Sequence, residues 1–455
     1  MPVPPIPLAP DPALEAPLPV MGSEVLVPLV TGGEVPYAAL DHAASTPALR
    51  RVWDDVAAYI PYYGSVHRGA GHLSQLSTDL FERSRSTISE FLGCRADDQV
   101  VFTRSTTDSL NLMASAVPPG TRVFLFETEH HAALLPWPEA ATTLLPAPGS
   151  RFDAVEILAE ALAGHDPLTP ALVCVTGASN VTGEIWPVAE LTEVAHAAGA
   201  RVLLDAAQLV PHRRVDMREL DVDYLAYSGH KMYAPFGAGV LAGRPDWLRQ
   251  AAPYLAGGGA SRRVTRSDDG LAVEWQQDSA RHEAGSPNVV GVHAMASACR
   301  ALSEAGPEAL AAREKALLRR TLRGLAAIPQ VEVLSLWGPR SERVGVVSFV
   351  VDGWNSSHLA AALSAEHGIG VRDGMFCAHP LVRLLLGSSP DQPDRCGAPE
   401  PLAPGERPVN AVRMSFGVGT PVEHVDRFVA AVATLVRDGA RWRYRVEDGR
   451  CVPVR

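Results

Sequence analysis

Lysine is almost missing from this sequence: of 455 residues only Lys231 and Lys315 are lysine, while 38 are arginine. Arginine serves wherever positive charge is enough, but it cannot supply the deprotonatable primary amine that a Schiff base needs. A lysine kept in such a background is a candidate for chemistry. Cysteine is also scarce. The six residues Cys94, Cys174, Cys299, Cys377, Cys396 and Cys451 form no CxxC pair, which excludes a disulfide scaffold and a zinc knuckle, and no metal site is expected. No apolar run reaches the ~18 residues of a membrane span. Positive charge is in deficit, with 40 basic against 51 acidic residues and a net charge of −11. A nucleic-acid binder working through a broad basic face is therefore excluded. No Lys or Arg precedes Arg50, so the charged region of a secretory signal and the arginines of a transit peptide are lacking, and a cytoplasmic location is expected. No G-x-G-x-x-G or Walker pattern follows a strand-like run, which argues against a nucleotide site. What is present, 47% apolar and 20% charged residues, is the balance of a globular chain.

Residues 1–36 hold ten prolines. Such a segment forms no helix and buries little, so it reads as a Pro-rich arm, extended or disordered, or as one that wraps a partner subunit. From Ala70 to Gly243 the chain alternates helical stretches (Ser74–Phe91, Ser105–Ala116, Val188–Ala198) with strand-like runs (Val100–Thr103, Arg122–Glu127, Ala171–Thr176, Arg201–Asp205). That alternation implies βαβ units and a parallel or mixed sheet, an α/β fold. Near Asn288 the texture changes. Val289–Glu304, Glu308–Ala327 and Ser357–Glu366 read as helices, Val331–Ser335 and Arg343–Val351 as strands. The expected division is a large domain over 61–290, and a smaller α+β domain from 37–60 and 291–455 with a C-terminal extension. Residues 387–408 read as a loop, and Arg441–Val454 as a hairpin around Asp448-Gly449.

Three groups recur at predicted strand ends, where open α/β sheets place ligands. Lys231 ends Ser228-Gly229-His230-Lys231, Asp205 ends an apolar strand, and Ser105-Thr106-Thr107 opens a helix whose free N–H groups suit a phosphate. Singly these are a surface charge, a turn residue and an N-cap. Together an amine, a carboxylate and a phosphate cradle are what pyridoxal phosphate requires.

The chain resembles class V, fold-type I pyridoxal-phosphate enzymes, and most closely the cysteine desulfurase and selenocysteine lyase group. The resemblance is carried by Leu40-Asp41-His42-Ala43-Ala44-Ser45-Thr46-Pro47, Val66-His67-Arg68-Gly69, Phe102-Thr103-Arg104-Ser105-Thr106-Thr107, Glu129-His130-His131-Ala132, Ser179-Asn180-Val181-Thr182-Gly183, Asp205-Ala206-Ala207-Gln208, Ser228-Gly229-His230-Lys231 and Glu283-Ala284-Gly285-Ser286-Pro287-Asn288. It implies a mostly parallel seven-stranded sheet in the large domain and pyridoxal 5'-phosphate as cofactor. Lys231 looks like the lysine that binds the cofactor, Asp205 the partner of its ring nitrogen, and Gln208 the donor to its ring hydroxyl oxygen. His130 looks like the imidazole stacked on the ring. Thr106, with Thr107, Ser228 and His230, looks like the phosphate site. Ser286 stands where the family supplies a phosphate-binding threonine from the neighbouring subunit, which implies a homodimer. Asn180 and Arg413, with Arg372, look like the holders of the substrate carboxylate.

The scaffold does not fix the reaction. Gly370-Val371-Arg372-Asp373-Gly374-Met375-Phe376-Cys377-Ala378-His379-Pro380 resembles the desulfurase element that carries a catalytic cysteine. Cys377 would then take sulfur from L-cysteine as a persulfide, release L-alanine, and pass the sulfur to an acceptor protein. His379 and Arg372 are positive neighbours that lower a thiol pKa; Met375 and Phe376 make its surroundings more apolar, which raises it. The stretch between Cys377 and Arg413 is longer than the family's and contains Cys396. Cys94, Cys174 and Cys299 read as core. Alternatives on the same cofactor are a C–S lyase, an epimerase, an aminotransferase or a selenocysteine lyase.

Overall fold

The computed structural model of the chain describes residues 15–268, 270–388, 402 and 408–454. The runs without polar alternation form its centre, because a strand covered on both faces needs apolar residues at successive positions. These strands are β1 (Gln99–Thr103), β2 (Arg122–Phe126), β3 (Thr142–Leu145), β4 (Ala171–Thr176), β5 (Arg201–Asp205), β6 (Tyr224–Ser228) and β7 (Gly239–Gly243). Their order is β1-β7-β6-β5-β4-β2-β3. Six run in one direction, and β7 is antiparallel to both neighbours. Helices Thr106–Ala116 and Pro245–Gln250 pack on one face, and Arg151–Leu162, Val188–Ala197 and Val289–Ala305 on the other. This is the mostly parallel seven-stranded α/β sheet that the resemblance implied.

Strand β7 escapes a sequence reading because glycines bracket it and read as turns. One of them is needed for packing: a Cβ on Gly239 would lie 2.7 Å from the Cα of Ser105. Glycine there lets the strand pass beside the turn that opens Thr106–Ala116. The hairpin of Ser261–Ser267 and Gly270–Trp275 was likewise not anticipated.

A second sheet consists of β8 (Val331–Val333), β9 (Val346–Val351), β10 (Arg372–Gly374) and β11 (Ala411–Ser415), in the order β8-β9-β11-β10 and antiparallel throughout. Helices Pro307–Ala326, Ser356–His367 and Val422–Asp438 cover one of its faces. Strand β9 starts later than expected. Arg343 is buried and spends its guanidinium on the carbonyls of Thr182, Leu334 and Gly338. Glu184, also buried, joins the two sheets. Its carboxylate accepts from Ser335 Oγ at 2.7 Å, Leu336 N at 2.8 Å, Trp337 N at 2.9 Å and Ser341 Oγ at 2.6 Å.

The proline-rich arm is only partly what its composition suggests. Leu26–Pro28 pairs with Glu34–Pro36, and the chain turns at Gly32 and Gly33, both with positive φ. The prolines fall at strand ends, where a missing N–H is harmless. Val20 is buried, and the Pro19 carbonyl accepts from Arg50 N at 2.9 Å. Over 15–36 the segment is thus a strap on its own chain; residues 1–14 lie outside the described residues, as do Cys396 and most of 387–408. The C-terminal hairpin forms as expected, from Tyr444–Glu447 and Arg450–Pro453. No described helix is long and apolar enough to cross a membrane.

Candidate active site

The C-terminal ends of the parallel strands meet the second sheet at a cavity of about 480 Å³. Each strand end contributes a group. After β1, Ser105 caps the helix by accepting from Asp108 N at 3.3 Å, and Thr106 follows in the first turn. Thr106 N donates to Ser228 Oγ at 2.6 Å, and the two hydroxyls lie 2.7 Å apart. Ser228 closes β6, and a short 3-10 turn, Gly229–Lys231, carries His230 and Lys231 into the cavity. Asp205 closes β5 and accepts from Ala207 N at 3.0 Å. Gln208 Nε2 donates to the Ala43 carbonyl at 2.7 Å. His130 caps the short helix His131–Leu134, its Nδ1 accepting from Ala132 N at 3.0 Å, so its proton resides on Nε2.

Burial dominates the electrostatics. It brings the Lys231 amine down to about 8, with Asp205 opposing and Arg413 assisting. It raises the Asp205 carboxyl, with the Ala207 amide and Lys231 pulling the other way. It lowers His130 to about 3, helped by Lys231, so that ring is neutral at ordinary pH. The other lysine, Lys315, is exposed and pairs with Glu342 at 2.7 Å, an ordinary surface charge.

The second sheet supplies the opposite wall. Arg413, on β11, is buried. Its Nη1 donates to the Asn180 carbonyl at 2.9 Å, and its guanidinium lies 4.8 Å from the centre of the Phe376 ring. Asn180 is placed by a turn in which Gly183 has φ +74°; a Cβ there would meet the Val346 carbonyl oxygen at 2.6 Å. Cys377 follows β10 and is exposed. Phe376 and Cys377 both have left-handed backbone, with φ +52° and +53°. Such strain in two successive non-glycine residues persists only when the surroundings hold it. Here Asn180 Nδ2 donates to the Phe376 carbonyl at 2.8 Å, and His131 N donates to the Cys377 carbonyl at 2.8 Å.

Sequence reasoning and structure differ at two of four points, the surroundings of Cys377 and the burial of Cys94. Met375 and Phe376 do not surround the thiol with apolar atoms; the bend turns them into a cluster with Val181, Leu381 and Val382, and leaves Cys377 exposed. Arg372 lines the cavity and pairs with Asp41 at 3.3 Å. Ser286, which the resemblance assigns to the neighbouring subunit's site, is exposed and lies outside the residues that line its own chain's cavity. Cys174 and Cys299 are core as expected, while Cys94 is half-buried, 3.8 Å from the Met217 sulfur. Thr106, Thr107, His130, Asn180, Asp205, Gln208, Ser228, His230, Lys231, Arg372, Cys377 and Arg413 all line the cavity together. Two features were missed. Asp41 joins Arg372 to Arg413, the latter at 3.1 Å, and His379 stacks edge-on against His131 with ring centres 4.6 Å apart. Both arise from contacts between distant segments, for which the sequence carries no local signal. A second cavity, of about 470 Å³, is lined by Phe91, Arg213, Cys299 and Glu314 and holds none of the strand-end groups.

The donor set fits pyridoxal phosphate: two hydroxyls at a helix start, a buried carboxylate whose one described partner is an amide, and an amine that burial brings down to about 8. The aminotransferase class-V pattern matches residues 38–428. The chain belongs to that family, a family of pyridoxal-phosphate enzymes. Within it, the chain is 35% identical over 412 residues to a cysteine desulfurase of Dickeya dadantii, covering 88% of this chain and 92% of that one. It is 32% identical over 415 residues to a probable cysteine desulfurase of Mycolicibacterium paratuberculosis, covering 89% of this chain but 56% of that longer one. The structure of a cysteine desulfurase from Thermococcus onnurineus superposes with a TM-score of 0.75 at 31% identity, covering 88% and 95%.

Proposed function

We propose that the chain is a cysteine desulfurase that converts L-cysteine to L-alanine and retains the sulfur on Cys377. The observation that carries this reading is the placement of an exposed thiol on a strained, doubly anchored bend at the same cavity as Lys231. Thr106, Ser228 and His230 would hold the cofactor's phosphate, Asp205 its ring nitrogen, Gln208 its ring oxygen, and His130 would pack on its face. When bound, pyridoxal phosphate supplies an aldehyde for amine exchange and a ring that withdraws electrons from the substrate's α-carbon.

The chain's own residues do the rest. Arg413 and Asn180 orient the substrate carboxylate. Lys231, with an amine near 8, removes the α-proton and later returns one. Neutral His130 keeps a proton on Nε2 that it can donate within the cavity. The Cys377 thiolate attacks the substrate sulfur as the S–Cβ bond breaks. The electron pair stays with carbon, which takes a proton and leaves as alanine, while Cys377 keeps the sulfur as a persulfide for a thiol acceptor. The five described cysteines are free, in keeping with a reducing compartment such as the cytoplasm.

The test is alanine release from L-cysteine, wild type and Cys377→Ser side by side, with a reducing thiol present. Alanine from wild type only, with the cofactor absorbance unchanged in the variant, is expected. Equal alanine from both would remove Cys377 from the reaction, and no alanine from either would favour a C–S lyase, an epimerase or an aminotransferase on the same scaffold. Selenocysteine as a parallel substrate separates the lyase variant.

A further inference from the structure

The wall that would receive the substrate carboxylate already contains a carboxylate. Asp41 Oδ1 lies 3.1 Å from Arg413 Nη2, and Asp41 Oδ2 lies 3.3 Å from Arg372 Nε. The two guanidiniums come from adjacent strands, since Arg372 and Arg413 are directly opposed in the β10–β11 ladder. Like charges opposed across a ladder repel, and Arg413 is buried. One carboxylate shared between them offsets that repulsion and fixes both.

Asp41 is itself held in place. Ala38–Ala39 pairs in parallel with Ile369–Gly370, and Asp41 bridges to Ser415 at the end of β11. Asp373, which also lines the cavity, accepts from Ser357 Oγ; the Arg372–Asp41–Arg413 cluster therefore has two positive groups and one resident negative group. A single incoming carboxylate brings it to neutrality. Among the described residues Arg413 Nε is buried without a hydrogen-bond partner, so the guanidinium keeps an unused donor while Asp41 and the Asn180 carbonyl take its other two nitrogens.

We infer that Asp41 is a positioning residue for the carboxylate subsite, holding Arg413 and Arg372 in register and setting the subsite charge so that it accepts one carboxylate. The inference rests on Arg413 being the carboxylate holder in the proposed reaction. It deepens that reading by naming the group that orients the holder.

The experiment compares Asp41→Asn and Asp41→Glu with wild type, using two competitive ligands that differ in one group. 3-Mercaptopropionate carries a carboxylate and no amine; cysteamine carries an amine and no carboxylate. Both are read as inhibition of L-cysteine turnover and as a change in cofactor absorbance on binding. For Asp41→Asn, KM for L-cysteine and the inhibition constant of 3-mercaptopropionate should each rise about tenfold, the loss falling on KM rather than kcat. The cysteamine constant should stay within twofold (about one experimental error), and Asp41→Glu should recover part of the loss. Equal weakening of both ligands would mean a merely structural role, and tighter 3-mercaptopropionate binding would mean that Asp41 competes with the ligand rather than orienting its site; either overturns the inference. Because absorbance reports binding without turnover, a wild type that releases no alanine would sink the desulfurase reading while leaving the Asp41 result readable.

Discussion

At the scale of single residues, the distinction between chemistry and background was legible in identity but not in setting. Lysine at 231 was marked by its rarity and by the Ser-Gly-His before it. The structure adds what no spacing could give, a buried amine brought down to about 8 with Asp205 and Arg413 in electrostatic reach. The sign follows directly. Below about 8 the amine is protonated and cannot attack an aldehyde; above it the amine is free. Uptake of pyridoxal phosphate by cofactor-free protein should therefore accelerate through a midpoint near 8, well below the ~10.4 of an ordinary lysine. Stopped-flow absorbance against pH reads this, and a midpoint above pH 10 would contradict the buried setting. His130 adds no second inflection in this range, since it stays neutral down to about 3. The thiol taught the opposite lesson. Its apolar neighbours in sequence suggested an apolar environment, but two left-handed residues turn Phe376 inward and Cys377 outward, and no local pattern announces that bend.

At the scale of elements, the strands and helices with the strongest patterns were readable to within a residue or two. Ala171–Thr176 and Arg201–Asp205 form as expected. What failed were elements whose pairing is made by tertiary contact: β7 between its glycines, and the proline-rich strap closed at Gly32-Gly33. The junction between the two sheets belongs to the same class. Glu184 has no sequence signature, yet it takes two hydroxyl and two amide hydrogen bonds from 335–341 and lies 3.7 Å from Arg343. Glu184→Ala leaves those donors without their acceptor and the buried Arg343 guanidinium without its counter-charge, and should cost about 3 kcal/mol of stability. Urea denaturation monitored by tryptophan fluorescence checks it; Trp186 and Trp337, with ring centres 5.1 Å apart, sit at this junction. A loss below 0.5 kcal/mol, about the size of a neutral surface change, would show that the junction does not depend on the carboxylate.

At the scale of the whole molecule, one chain leaves a contiguous stretch of sequence unusually uncovered. Trp53, Ile60, Tyr62, Tyr63 and Leu73 are all exposed, between 42% and 54%. Large apolar groups left exposed this close together in sequence are candidates for an interaction site. With Ser286 exposed outside its own chain's cavity, this supports a homodimer. Sedimentation equilibrium should give twice the chain mass, and Tyr62→Glu with Tyr63→Glu should give a monomer that loses cofactor on dialysis; a wild-type monomer retaining both cofactor and activity would count against it. The contrast between the two lysines has an analytical consequence as well. An acylating reagent meets two side-chain amines in this chain, one exposed beside Glu342 and one inside the cavity. The labelling of Lys315 is then an internal standard for Lys231, and the ratio of the two acylated peptides in a single digest counts cofactor occupancy molecule by molecule, without a spectrum and without an activity assay.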